Sequence, residues 1–120
     1  MNIKIIMLAG ISLIVVLAAI TFYNTSAIDK VKVEQMVSGG ALLIDVRAPD
    51  EFEGGSVPGA INIPLDEIQR RIDEFKDKGN IIVFCRTGNH SNQAITILES
   101  NGITTAINGG SWGDVAQFVK

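Results

Sequence analysis

Ile81-Ile82-Val83-Phe84-Cys85-Arg86-Thr87-Gly88-Asn89-His90-Ser91 is the stretch that decides how this chain folds. Residues 81–84 are continuously apolar and mostly β-branched or aromatic, the composition of a strand covered on both faces in a parallel sheet. A polar stretch containing Gly88 then turns the chain, and Ala94, Ile97 and Leu98 recur at helical spacing. The only cysteine is therefore expected at the carboxyl end of a strand, facing a helix N-terminus. Open α/β sheets bind ligands at that position, and the exposed N–H groups of a helix start favour an anion there.

A thiol so placed is activated without a dedicated base, because loop and first-turn N–H groups stabilise thiolate over thiol. Gly88 permits positive φ or close backbone approach, Arg86 brings a permanent cation beside the sulfur, and Ser91 reads as a helix N-cap. Taken alone, Cys85 fits equally well as a small hydrophobe closing a core strand.

Outward from this stretch, the pattern predicts strands alternating with helices. Val33 to Val37 reads as a short helix ended by Ser38-Gly39-Gly40, Ala41 to Val46 as a buried strand, Asp50 to Glu53 as a helical turn and Ala60 to Ile63 as a second strand. Leu65, Ile68, Ile72 and Phe75 mark the inner stripe of a helix ending near Gly79. Its other face, with Arg70, Arg71, Asp73, Glu74, Lys76, Asp77 and Lys78, is a solvated surface. Thr104 to Ile107 supplies a further strand and Ser111 to Val119 a last short helix. The alternation implies an α/β fold with a mostly parallel central sheet flanked by helices. Asp45 and Arg47 end the first strand on the same side as Cys85. Two readings are open for them: support of the site, or a structural pair fixing the loop from 48 to 59. Trp112 reads as core or pocket rim.

The segment from Asp45 to Pro64, DVRAPDEFEGGSVPGAINIP, closely resembles the D-V-R, E-F/Y, I/V-P-G-A-x-N-I-P signature of single-domain rhodaneses. Cys85-Arg86-Thr87-Gly88-Asn89 resembles their C-R-x-G-N loop, and Asn108-Gly109-Gly110 with Trp112 resembles their closing G-G-x-x-W pattern. Three motifs in the right order carry the likeness from about Ile28 to Lys120. It implies a rhodanese-like three-layer fold, with Cys85 as catalytic nucleophile and Arg86, Thr87, Gly88, Asn89 and His90 as the substrate-binding loop. Two positions depart from the family pattern. His90 stands where many relatives carry Arg, and Ser56 replaces the usual His before the I/V-P-G-A element, the latter read as structural variation.

The 120 residues allow one domain, and a formal charge of −3 argues against a nucleic-acid partner. One Cys and one His exclude an internal disulfide, a C-x-x-C redox pair and a metal cluster, so no metal and no cofactor is expected. Ile5 to Tyr23 is nineteen residues without a charge, about the length that crosses a hydrocarbon core of roughly 30 Å. Residues 1–27 are expected to be a transmembrane anchor, or a signal peptide cut near Thr25-Ser26-Ala27, and residues 28–120 the rhodanese domain. A short N-terminal tail on such a span normally stays inside. That would put the domain outside the cytoplasm, membrane-anchored, or periplasmic or exported if the N-terminus is cleaved.

The resemblance implies a sulfurtransferase. Cys85 accepts sulfane sulfur, for example from thiosulfate, as a persulfide and passes it to a thiol, cyanide or a protein cysteine. The alternative is a non-catalytic rhodanese-like sulfur carrier, sensor or partner-binding module at the membrane. A cysteine phosphatase or arsenate reductase would need Arg six residues after the nucleophile, where this chain has Ser91.

Overall fold

Residues 10, 12–18 and 28–120 are described by the computed structural model. From Lys30 onward the elements are α1 (Lys30–Ser38), β1 (Leu42–Asp45), α2 (Pro49–Glu53), β2 (Ile61–Asn62), 3-10 turns at Leu65–Glu67 and Ile72–Phe75, β3 (Ile81–Cys85), α3 (Asn89–Ser100), β4 (Ala106–Ser111) and α4 (Trp112–Ala116). The strands form one sheet in the order β2-β1-β3-β4, with every pairing parallel.

β3 is apolar throughout because it lies inside the sheet and both its faces are covered. Side chains alternate across a strand, so Ile81, Val83 and Cys85 join one core layer with Ile44, Ala94 and Leu98, while Ile82 and Phe84 join the other with Val33, Met36 and Val115. The three-layer α/β arrangement expected from the sequence is the one observed. Its consequence for the site is direct: Cys85 points to the side covered by α3. The N-terminus of α1 is capped by Asp29, whose carboxylate accepts the Lys32 N–H at 3.1 Å.

Three local expectations are corrected. The single helix expected over residues 65–75 is instead two 3-10 turns. Leu65 with Ile68, and Ile72 with Phe75, are each spaced by three, which matches the 3-10 repeat and lets Ile68 and Phe75 bury fully without a continuous helix. The last strand does not stop at Ile107 but runs on through Asn108-Gly109-Gly110 to Ser111. A register shift opposite Val83 and Phe84 inserts Gly109 as a bulge. A Cβ at Gly109 would lie 2.7 Å from both Ile82 Cγ2 and Val115 Cγ2, so only glycine fits. Finally, α3 begins at Asn89 with Gly88 as its N-cap, and Ser91 is inside the helix, not its cap.

The expected membrane span at residues 5–23 lies largely outside the described residues. Within it, residues 12–18 are helical, and Leu13, Ile14, Val15, Val16 and Leu17 are exposed. Among the described residues no helix is long and apolar enough to cross a membrane.

Candidate active site

Cys85 ends β3 with its side chain 1 % exposed, and the chain reverses over it into α3. The reversal needs Gly88, whose φ of +95° is a left-handed conformation that L side chains avoid. It aims the Gly88 N–H back at the sulfur, with N to Sγ 3.0 Å. Ser91, in the first turn of α3, puts its hydroxyl 3.4 Å from Sγ. Burial pushes the Cys85 thiol pKa up, but the Ser91 hydroxyl and the backbone N–H groups of Ser91, Thr87 and Gly88 together outweigh it, and the net shift is downward. The site thus holds a shielded sulfur whose anion is stabilised by neutral dipoles.

The remaining loop residues are arranged unequally. Arg86, Thr87, Asn89 and His90 are exposed, while Gly88 is buried. His90 lines a groove with Val46, Pro49 and Leu65, whose walls also carry the acidic residues Glu51, Asp66 and Glu67. The loop expected from the sequence therefore divides into an inner part, Gly88 with its N–H, and an outer rim.

Asp45 and Arg47 form a different construction. The Asp45 carboxylate is fully buried and receives the Arg47 guanidinium at 2.8 Å from Nη2 and 3.1 Å from Nε, as well as the Arg47 backbone N–H at 2.9 Å. Nη2 of Arg47 also donates to the Gly55 carbonyl at 2.6 Å, and the Ser56 hydroxyl donates to Asp45 Oδ2 at 2.6 Å. Asn62 donates to the carbonyls of both Asp45 and Arg47 at 2.9 Å. The pair ties the loop from 48 to 59 back to β1, which is the structural reading of these two residues. Ser56 has a part in this network. Trp112 is partly buried against the core layer of Phe84 and Val115, with the Arg47 guanidinium 5.1 Å from its ring centre.

Two residues beside the sulfur were not assigned to it from the sequence. Ser91 shares the buried stripe of α3 with Ala94 and Leu98, and a polar residue on that stripe was the available signal. Asn108 arrives from β4. Lying opposite Val83, it reaches the face that α3 covers and accepts the Ser91 hydroxyl on Oδ1 at 2.7 Å. The closing motif marks the position of Asn108 in the sequence, but nothing local points to Ser91 as its partner.

A buried, polarised cysteine on a loop between the end of a central parallel strand and a helix defines a class, and comparison with known proteins agrees with it. Residues 29–114 match the Rhodanese-like domain model, and the chain belongs to that family. It is 43% identical over 76 residues to thiosulfate sulfurtransferase PspE of Escherichia coli K12, covering 62% of this chain and 73% of that protein. It is 31% identical over 90 residues to the putative sulfur carrier protein YrkF of Bacillus subtilis 168, covering 71% of this chain and 49% of that protein, so it spans about half of YrkF. The solved human single-domain sulfurtransferase superposes with a TM-score of 0.62 at 26% identity, over 72% of this chain and 90% of that one.

Proposed function

We propose that this protein is a sulfurtransferase that carries sulfane sulfur on Cys85. The observation that carries the reading is the Cys85 sulfur held at the end of β3 by the Gly88 N–H and the Ser91 hydroxyl. With thiosulfate as donor, the Cys85 thiolate attacks the outer sulfur, the S–S bond of the donor breaks, and sulfite leaves with the bonding pair. Cys85 is left as a persulfide. An acceptor thiolate, a protein cysteine or cyanide then attacks the terminal sulfur and regenerates the thiolate, completing a double displacement. No external oxidant or reductant is consumed.

In this reaction the amides of Thr87, Gly88 and Ser91 cradle the negative sulfur, and exposed Arg86 receives the donor anion before and after cleavage. His90 forms the outer wall where donor and acceptor enter. Asp45 and Arg47 act at a distance by holding the facing loop. The name of the thiosulfate sulfurtransferase relative supports the donor class. We further infer that residues 5–23 tether the domain to a membrane on its outer side, supported by the uncharged nineteen-residue run.

The second reading is a sulfur carrier or sensor without turnover, favoured by the near-complete burial of the sulfur and by the name of the carrier relative. Intact-mass measurement after thiosulfate treatment tests the first reading. Cys85 should gain the mass of one sulfur atom and lose it to cyanide or a thiol, with repeated turnover in the steady state. Loading without cycling would select the carrier, and no loading would reject both.

A further inference from the structure

The Ser91 hydroxyl carries one proton but lies within reach of three acceptors: Asn108 Oδ1 at 2.7 Å, the Gly88 carbonyl at 3.0 Å and Cys85 Sγ at 3.4 Å. Asn108 is itself held in one orientation. Its Oδ1 accepts the Gly110 N–H at 2.8 Å, and its Nδ2 donates to the Gly88 carbonyl at 3.0 Å and to Asn92 Oδ1 at 3.3 Å. Flipping the amide would set donor against donor at Gly110 and acceptor against acceptor at Gly88, so the oxygen stays toward Ser91.

We propose that Asn108 is a positioning residue that competes with the Cys85 sulfur for the single Ser91 proton, and thereby sets the balance between thiol and thiolate. While Cys85 is a thiol, Ser91 donates to Asn108 and its oxygen is free to accept the S–H. When the proton leaves the sulfur, the Ser91 O–H rotates onto the thiolate, and the bond to Asn108 breaks as the bond to sulfur forms. Asn108 Oδ1 is not orphaned by that switch, because the Gly110 N–H remains on it. The cost of making thiolate therefore includes one hydrogen bond between Ser91 and Asn108, and the same cost is returned whenever the sulfur is protonated.

Charged groups on the elements around the sulfur are Arg86 on the loop, His90 and Glu99 on α3, the Asp45–Arg47 pair at the end of β1, Asp66, Glu67, Asp73 and Glu74 on the 3-10 turns of the same core face, and, across the sheet, Lys30, Lys32 and Glu34 on α1 and Asp114 on α4. β4 contributes none. All of them are unchanged in the variants that test the proposal, so a shift read from Asn108 is not theirs.

The bearing of this device on sulfur transfer rests on Cys85 being the nucleophile. The test itself does not, since it follows thiolate formation in the full-length chain by thiolate ultraviolet absorbance across pH, with no turnover required. Asn108→Ala removes the nearer competitor and leaves only the Gly88 carbonyl, 3.0 Å from the hydroxyl, so the Cys85 midpoint should fall by about half a unit, a threefold gain in the thiolate-to-thiol ratio. Asn108→Asp keeps the size but offers a stronger, charged acceptor, so the midpoint should rise. In a Ser91→Ala background the effect of Asn108→Ala should vanish, and that of Asn108→Asp should shrink to its charge contribution. A midpoint unmoved or raised by Asn108→Ala, or shifts of equal size with and without the Ser91 hydroxyl, would overturn the proposal. If Asn108→Ala does not fold, the Asn108→Asp pair measured with and without Ser91 decides it alone: a shift of the same size in both backgrounds overturns it. An intact titration pattern in a protein that moves no sulfur would leave the positioning role standing and reject the sulfurtransferase reading.

Discussion

Replacing Arg47 by Met tests whether the Asp45–Arg47 pair is architecture or chemistry. Asp45 is 0 % exposed and Arg47 7 %, so neither charge has water to fall back on. Met preserves most of the length of the side chain and its contact with Trp112, but removes every guanidinium donor from Asp45 and the bond to the Gly55 carbonyl. The carboxylate keeps only the backbone N–H of residue 47 and the Ser56 hydroxyl. Breaking a buried pair from one side costs about 3–5 kcal/mol, a large part of the roughly 5–15 kcal/mol that holds a domain of this size together. At about 4 °C or more per kcal/mol, the midpoint of thermal unfolding should drop by roughly 12 °C at the least. Asp45→Asn combined with Arg47→Met removes both charges, and the double variant should be more stable than Arg47→Met alone. Urea unfolding followed by circular dichroism measures the first quantity, and sulfur transfer per folded molecule the second. A loss under about 1 kcal/mol would refute the buried-pair energetics. Unchanged stability with abolished transfer would move Arg47 from the scaffold into the site.

Four further outcomes are expected. Cys85→Ser should abolish sulfur transfer and shift the melting temperature little, since the change is nearly isosteric; transfer within a few-fold of the parent would remove Cys85 as nucleophile. Arg86→Ala should weaken the use of thiosulfate more than that of a neutral persulfide donor, because the guanidinium meets the anion; equal losses on both would mean that it acts on the loop. The Cys85 pKa is lowered, so alkylation by a neutral reagent should stay fast below the ordinary thiol range and decline only as pH falls through the lowered folded value. By the same linkage, any stability gained from the thiolate is present above the unfolded thiol value and is lost as pH falls through the folded one; a reactivity profile matching that of free cysteine would contradict the loop's polarisation. Gly109→Ala forces a methyl group to within 2.7 Å of Ile82 and Val115, and overpacking of this kind costs about 1–3 kcal/mol, read as a lower unfolding midpoint.

What the sequence determined by itself was everything that depends on neighbours along the chain. The unbroken apolar run of residues 81–84 required two covered faces, hence a parallel sheet with layers on both sides, and Gly88 after Cys85 required a tight reversal over the sulfur. The same local logic failed over residues 65–75, because a spacing of three and four is compatible with one α-helix or two 3-10 turns, and only packing of Ile68 and Phe75 into the core chose between them. It failed again at Ser91. The residue type fits a cap, but the chain had already entered the helix at Asn89, which turned the hydroxyl inward to the sulfur. Asp45 and Arg47 were visible as candidates, yet their role was decided by Gly55, Ser56 and Asn62 closing around them. The contact of Asn108 with Ser91 belongs wholly to the tertiary structure. Asn108 lies twenty-three residues after Cys85 in the chain and reaches Ser91 because β4 pairs with β3 in a register that puts it opposite Val83, on the face shared with the cysteine. Hydrogen bonds act over about 3 Å of space and carry no signature of separation along the chain, so such a partner is invisible until the strands have been paired.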